Sequence, residues 1–284
     1  MIFVGHTMAT PGRTVYESID CFRALGLDGM ELVCRPGTDF DSSIDDARAV
    51  RMADYAGYNG LPIVALTPYA WDINHPDPTT AATARRELRR ALELADLMRA
   101  RFVRAYGGRE QPADPAGSFA RAVDALHQAG SQAADRGLTL VVENHPGTMT
   151  RTGAATRRLL DAVALPAVRA LYDPANVLHD TCEPWQTTLD AQVGTIAYVH
   201  AKDFVLRDGR RHACPVGGGI LPWRGILREL LAMGYDGAIS FEYEKMWYPA
   251  DLEDAETGLA ACLRFMQDAV DGLKVPARGR MSVP

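Results

Sequence analysis

No apolar run in this chain approaches the roughly 18 residues that a membrane-spanning helix needs, so a membrane protein is not expected. Cysteine is scarce and unpatterned. Cys21, Cys34, Cys182, Cys214 and Cys262 are odd in number and form no CxxC pair, which argues against a disulfide framework or a thiolate zinc site and for a reducing, cytoplasmic compartment. Basic charge is in deficit, with 30 Lys and Arg against 36 Asp and Glu and a net charge of −6. A nucleic-acid partner, which calls for a basic footprint, is therefore not expected. No G-x-G-x-x-G follows the first apolar run, where the turn reads "GHTMATPGRT", so a dinucleotide site at that turn is excluded. Low-complexity segments are absent, and "MIFVGHTM" has neither the basic start nor the long apolar stretch of a signal peptide, so it reads as a first strand.

What is present is an ordinary globular composition, 47% hydrophobic and 23% charged over 284 residues, organised by one repeating rhythm: a short apolar run, a turn, then a segment with helical spacing. Val15, Ile19, Phe22 and Leu25 share one helical face. The clearest amphipathic stretch, Thr80 to Arg99, places Ala84, Leu88, Ala91, Ala95 and Met98 on one stripe. Strands are expected at "FV", "MELV", "IVALT", "FVRAY", "LTLVV", "VRALYD", "IAYVHAKD" and "AISFEYE". Eight strands alternating with eight helices, with no linker between halves, predict a parallel sheet. The α/β chain is the size of a single closed (β/α)8 barrel. Residues 1–271 are assigned to this domain and the Pro- and Gly-rich residues 272–284 to a tail.

In such a barrel the chemistry sits at the carboxyl ends of the strands. The fifth strand delivers Glu143, the sixth Asp173, the seventh His200 and the eighth Glu242, at intervals of 30, 27 and 42 residues. Any one of these has an ordinary explanation as a helix cap or a solvated loop residue. Four on consecutive strands do not, because unpaired buried carboxylates cost several kcal/mol each. Three carboxylates and an imidazole suit one divalent ion, with Mn²⁺ favoured and Mg²⁺, Co²⁺ or Zn²⁺ as alternatives. Side-chain alternation sends His145 to the side of Glu143, Lys202 to that of His200 and Glu244 to that of Glu242. Asn144 faces away as a turn anchor. His6, Tyr69, Trp71 and Tyr106 fall at or after strand ends and are candidates for a substrate pocket, with Asn176 and Lys202. Glu31, lower in the second strand, is read as a buried, paired carboxylate.

The segments "VVENH" (141–145), "LYDPANV" (171–177), "YVHAKD" (198–203), "GGGILPW" (217–223) and "GYDGAISFEYE" (234–244) resemble the sugar phosphate isomerase/epimerase family of xylose-isomerase-like TIM barrels. The resemblance covers nearly the whole chain. It implies a metal held by Glu143, Asp173, His200 and Glu242, a small carbohydrate substrate, and the two glutamates as acid/base groups on opposite faces of that substrate. An α-hydroxy carbonyl would be deprotonated to an enediolate and reprotonated, giving epimerisation or aldose–ketose isomerisation. Asn176 stands where the family's ketose 3-epimerases and endonuclease IV carry His, which weighs against both activities.

If a leaving group lies β to the carbonyl, the same intermediate expels it. A lyase or dehydratase acting on an inosose or 3-oxo sugar is therefore the alternative, with His145 as acid or base and, in a C-glycoside-cleaving complex, a second subunit. A homo-oligomer is otherwise expected. A metal-dependent nuclease and a catalytically inactive sugar-binding barrel rank behind these; the latter would keep the pocket aromatics without binding metal.

Overall fold

The computed structural model describes residues 1–274. Eight parallel strands close into a barrel: β1 (Ile2–His6), β2 (Gly29–Cys34), β3 (Ile63–Pro68), β4 (Phe102–Tyr106), β5 (Thr139–Glu143), β6 (Val168–Tyr172), β7 (Ile196–Ala201) and β10 (Ala238–Phe241), with β10 returning to pair with β1. The outer ring comprises α1 (Val15–Leu25), α2 (Asp46–Tyr58), α3 (Pro78–Leu97), α4 (Pro115–Asp135), α5 (Gly153–Val163), α6 (Pro174–Thr181), α7 (Trp185–Gln192), α8 (Trp223–Ala232) and α9 (Ala255–Lys274).

Local chemistry sets these boundaries. Thr14 and Glu17 form a reciprocal capping box at the start of α1, and Gly26 ends that helix at φ 80°, a left-handed conformation that glycine adopts without a side-chain clash. Asp77 and Asp114 cap α3 and α4, each followed by a proline in the first turn, where a missing N–H costs nothing. Because alternate residues face inward, the barrel interior is layered. Val4, Ala65, Phe102, Val141, Leu171, Tyr198 and Ala238 form its apolar floor. Two residues further along the strands lie His6, Thr67, Arg104, Glu143, Asp173, His200 and Ser240, all buried. The larger apolar core lies between strands and helices.

Three departures from the expected alternation matter. An antiparallel hairpin, β8 (Asp203–Arg207) with β9 (Arg210–Cys214), follows β7 after one residue; its one apolar run, Phe204 to Leu206, is short and stands next to the end of β7. Two helices, α6 and α7, separate β6 from β7 instead of one. Strands β6 and β10 end at Tyr172 and Phe241, so Asp173 and Glu242 stand just beyond their strands. The last helix continues to Lys274, and residues 275–284, most of the expected tail, lie outside the described residues. Among the described residues no helix is long and apolar enough to cross a membrane.

Candidate active site

β10, β7, β6 and β5 are consecutive neighbours in the barrel, and the residues at their carboxyl ends converge. One ligand-type atom from each of Glu143, Asp173, His200 and Glu242 lies within 4.8 Å of the others, and all four side chains are buried. The glutamates come from the two outer strands of the four, so they approach the centre from different sides.

Neighbouring groups orient these side chains. Asp173 is the N-cap of α6, its Oδ1 accepting from the Ala175 and Asn176 amides at 2.9 and 3.0 Å. Its Oδ2 is turned to the cluster, so the capping role and the site role coexist. Glu143 Oε1 accepts from Asn176 Nδ2 at 2.9 Å. Asn144 points the other way, donating to the Asp173 carbonyl at 2.6 Å and accepting from the Asp173 amide at 3.0 Å, which locks the two strand ends together. His200 Nε2 lies 3.1 and 3.2 Å from the two oxygens of Glu31. A carboxylate only accepts, so Nε2 carries the proton and Nδ1 presents a lone pair. That Nδ1 is buried with no hydrogen-bond partner, 3.6 Å from Glu143 and 3.5 Å from Glu242.

Charge supports the same reading. Glu31, Glu143, Asp173 and Glu242 are four buried carboxylates, and Lys202 and Arg104 are the buried lysine and arginine beside them. Burial disfavours the His200 imidazolium, but Glu31, Glu242 and Glu143 outweigh this and raise its pKa; with His200 neutral, as a metal ligand must be, two negative charges remain, the charge that one divalent ion neutralises. The three carboxylates and the orphaned imidazole nitrogen therefore fit such an ion. Lys202 Nζ lies 2.9 Å from Asp173 Oδ2, pairs closely with Glu242 and reaches Glu244 at 3.7 Å. Burial disfavours the Lys202 ammonium, but Asp173, Glu242 and Glu244 outweigh this and raise its pKa. Burial pushes the Glu143 carboxyl up, and His145, His200 and Arg104 more than offset it, holding Glu143 below the usual carboxylate range. Asp173 goes the other way: burial raises it, with Glu242 and Glu143 adding, against Lys202.

Above the cluster opens a cavity of about 720 Å³, within the usual range of roughly 300–1,000 Å³ for small-molecule sites. Of the expected site residues, Tyr69, Trp71, Tyr106, His145, Asn176, Lys202 and Glu242 line it, while Glu143, Asp173 and His200 are not among its lining residues. His6 does not line it either. It is fully buried, its Nδ1 accepting from the Met8 amide at 3.2 Å and its Nε2 facing Glu31 at 3.6 Å, so its ring is turned into the barrel interior beside His200. His145 Nδ1 lies 2.8 Å from the Pro146 carbonyl, an obligate acceptor, so Nδ1 bears the hydrogen and Nε2 is left as a base. Burial lowers the pKa of His145 against the pull of Glu143, which keeps the ring neutral at pH 7.

Arg104 escaped the sequence reading. It is 2% exposed, its Nε 3.6 Å from Glu143 Oε2 and its guanidinium 3.7 Å from the Tyr106 ring centroid. The signal was a lone arginine inside the apolar strand "FVRAY", two residues before a rim tyrosine and hence on the same face. Asp203 was also missed. It accepts from the amides of Phe204, Gly217, Gly219 and Leu221 at 2.9, 3.1, 3.1 and 3.1 Å, folding the glycine-rich loop against the end of β7. A Cβ at Gly219 would collide with that carboxylate.

Residues 19–269 match the model of the xylose isomerase-like TIM barrel family. An inosose dehydratase from Geobacillus kaustophilus (strain HTA426) is 30% identical over 138 residues, a match spanning 43% of this chain and 44% of that protein. The structure of an L-ribulose 3-epimerase superposes with a TM-score of 0.78 at 18% identity, over 98% of this chain and 99% of that one. A xylose isomerase-like TIM barrel protein from Mycobacterium smegmatis, in complex with magnesium, gives a TM-score of 0.77 at 15% identity over 96% and 98%. At these identities the two structural likenesses are likenesses of fold.

Proposed function

This chain belongs to the xylose isomerase-like TIM barrel family, and from that premise we propose that it is a divalent-metal-dependent isomerase or epimerase of a sugar- or polyol-derived α-hydroxy ketone. The observation that carries the reading is the convergence of Glu143, Asp173, His200 and Glu242 beneath an aromatic-walled cavity. These four residues would hold the ion, with Mn²⁺ the favoured occupant. When bound, it supplies Lewis-acid stabilisation of the negative charge that builds on the substrate's oxygens.

The protein's own groups handle the protons. Glu143, kept ionised and aimed by Asn176, removes the proton from the carbon next to the carbonyl. Glu242, on the other outer strand and paired with Lys202, stands where a proton can be returned from the opposite side or to the neighbouring carbon. The first outcome is epimerisation, the second isomerisation. Arg104 sits behind Glu143 and favours its charged form. Five unpaired thiols agree with a reducing, cytoplasmic setting.

The orientation of His145 favours a second reading. His145 lines the cavity with its Nδ1 engaged by the Pro146 carbonyl, so an elimination with His145 as base or acid is open to this site, and the inosose dehydratase relative belongs to that class. The test is ¹H NMR in D₂O with Mn²⁺-loaded protein and a panel of ketoses, inososes and 3-oxo glycosides. Deuterium entering a carbon next to the carbonyl supports enediolate chemistry. Appearance of a conjugated enone absorbance assigns the lyase reading. Absence of both across the panel rejects the proposal.

A further inference from the structure

Along one side of the cavity, lined by Trp71, Tyr106, Tyr69, Arg35 and Trp247 with Arg104 buried behind them, rings and guanidiniums form a ladder. Trp71 stacks on Tyr106 with centroids 3.6 Å apart. The Arg104 guanidinium lies 3.7 Å from the Tyr106 centroid and 4.9 Å from that of Tyr69. The Arg35 guanidinium then lies 5.3 Å from Tyr69 and 4.8 Å from Trp247. The inner cation, Arg104, has Glu143 as a charge partner. The outer one has none: among the described residues, no carboxylate lies within ion-pair distance of Arg35, and its side chain makes no hydrogen bond.

The other cations lining the same cavity are already matched. Lys202 pairs with Asp173 and Glu242, and Arg211 lies 2.5 Å from Glu244. Neighbouring arginines are matched as well: Arg48 lies 2.5 Å from Asp39 and Arg109 2.7 Å from Asp72. Among the cations that line this cavity, Arg35 is thus the one without a carboxylate partner. Stacking occupies only the faces of a guanidinium; its N–H donors lie in the plane, at the edge. Held by Tyr69 and Trp247, Arg35 therefore presents an ordered fork of donors at the cavity rim, with part of the entropy of fixing a long side chain already removed. Arg35 and Pro36 also border a second cavity, of about 540 Å³, so the rim has room for a group extending beyond the sugar ring.

We propose that Arg35 anchors an anionic group of the substrate, a carboxylate or a phosphate, at the end of the molecule remote from the reacting carbonyl. The inference rests on the reading of this cavity as the site of an α-hydroxy ketone, and it narrows the substrate class to acidic ketoses or acidic cyclic ketones. Two in-plane N–H groups of Arg35 would engage two oxygens of one anion, the bidentate geometry that arginine supports and lysine does not.

The test is calorimetric binding to the full-length, Mn²⁺-loaded protein of D-fructose, D-fructose 6-phosphate and D-fructuronate. The expected result is that one of the two acidic sugars binds at least about tenfold more tightly than fructose, equivalent to about 1.4 kcal/mol. The phosphate and carboxylate arms identify which anion is read. Arg35→Gln should remove the margin and Arg35→Lys should restore part of it, with thermal melting confirming that both variants fold. Absence of a margin for both acidic sugars, or a margin that survives Arg35→Gln, overturns the proposal. Deuterium exchange is scored separately. Exchange without an acidic margin removes Arg35's role and leaves the proposed function, while a margin without exchange does the reverse.

Discussion

Glu31 and His200 form a carboxylate–imidazole pair at the bottom of the site, both Glu31 oxygens lying within 3.2 Å of His200 Nε2. Glu31 also accepts from Tyr198 at 3.0 Å and from Thr67, so its position is fixed from three sides. The pair decides which imidazole nitrogen faces Glu143 and Glu242. Glu31→Gln keeps the shape but removes the charge that holds the tautomer, and an amide can turn its own donor toward Nε2. Divalent metal affinity is expected to fall by about 10–100-fold, the usual effect of losing such an outer partner. Titration of Mn²⁺ into the metal-free protein, by calorimetry or thermal shift, measures it. An unchanged affinity would mean that His200 does not ligate through Nδ1.

Glu143→Gln tests the acid/base assignment. The amide cannot accept the substrate proton, so deuterium exchange should drop by at least about 10²–10⁴-fold, while the variant still folds because Asn176 can bond to the remaining carbonyl oxygen. Exchange at the wild-type rate would take Glu143 out of the chemistry.

Much of this arrangement was legible in the sequence because barrel strands are short, apolar and end in polar residues at regular intervals. Glu143, Asp173, His200 and Glu242 each terminate such a run, and the assumption of adjacent strands was enough to bring them together. Alternation also placed His145, Lys202 and Glu244 on the right side. The failures have physical causes. His6 follows the same strand-end rule, yet its ring is held against Glu31 and the Met8 amide, and such a contact with a neighbouring strand is invisible in a single sequence. The β8–β9 hairpin begins one residue after β7, so its short apolar run does not stand apart from that strand in the sequence. Arg35 gave no signal because its significance lies in what does not pair with it.

Asp203→Ala should destabilise the fold while leaving the four cluster residues in place. The buried carboxylate gathers four amides that otherwise lose their acceptor, and hydrogen bonds to charged groups contribute about 1.5–3 kcal/mol each. With partial compensation by water, a loss of roughly 3 kcal/mol is expected in urea unfolding. Asp203→Asn, which keeps one acceptor oxygen, should lose less. Equal losses would show that a neutral acceptor oxygen cannot replace the carboxylate in folding the glycine-rich loop.

Arg13 and Glu256 tie the loop before α1 to the first turn of α9 through two contacts of 2.7 and 3.0 Å. Hydrogen bonding to Arg13 holds the Glu256 carboxyl down at about 2, against an ordinary 4.5. A depressed acid stabilises the fold above its unfolded pKa and loses that contribution as pH falls through its folded value. Both side chains are partly exposed, so solvent screening limits the effect to about 0.5–1 kcal/mol. The stability difference between wild type and Glu256→Gln should be full at pH 6–7 and shrink as pH is lowered from about 4.5 toward 2. A difference independent of pH would point to packing in place of charge.

His145 carries the pH dependence of the chemistry if it serves as a base. Its free form is neutral imidazole, with Nδ1–H held by the Pro146 carbonyl, in a residue that lines the cavity. Burial depresses its pKa below the ordinary 6.5, with Glu143 opposing and Lys202 reinforcing the shift. A base must be deprotonated, so activity should be level at neutral pH and decline on the acid side with a midpoint below 6.5. His145→Gln should abolish that limb together with any elimination activity, while deuterium exchange driven by Glu143 persists. This separates the two readings of the site. If exchange and elimination vanish together in His145→Gln, one base serves both steps. If only elimination is lost, the protein forms the enediolate with its glutamates and uses the imidazole for the leaving group.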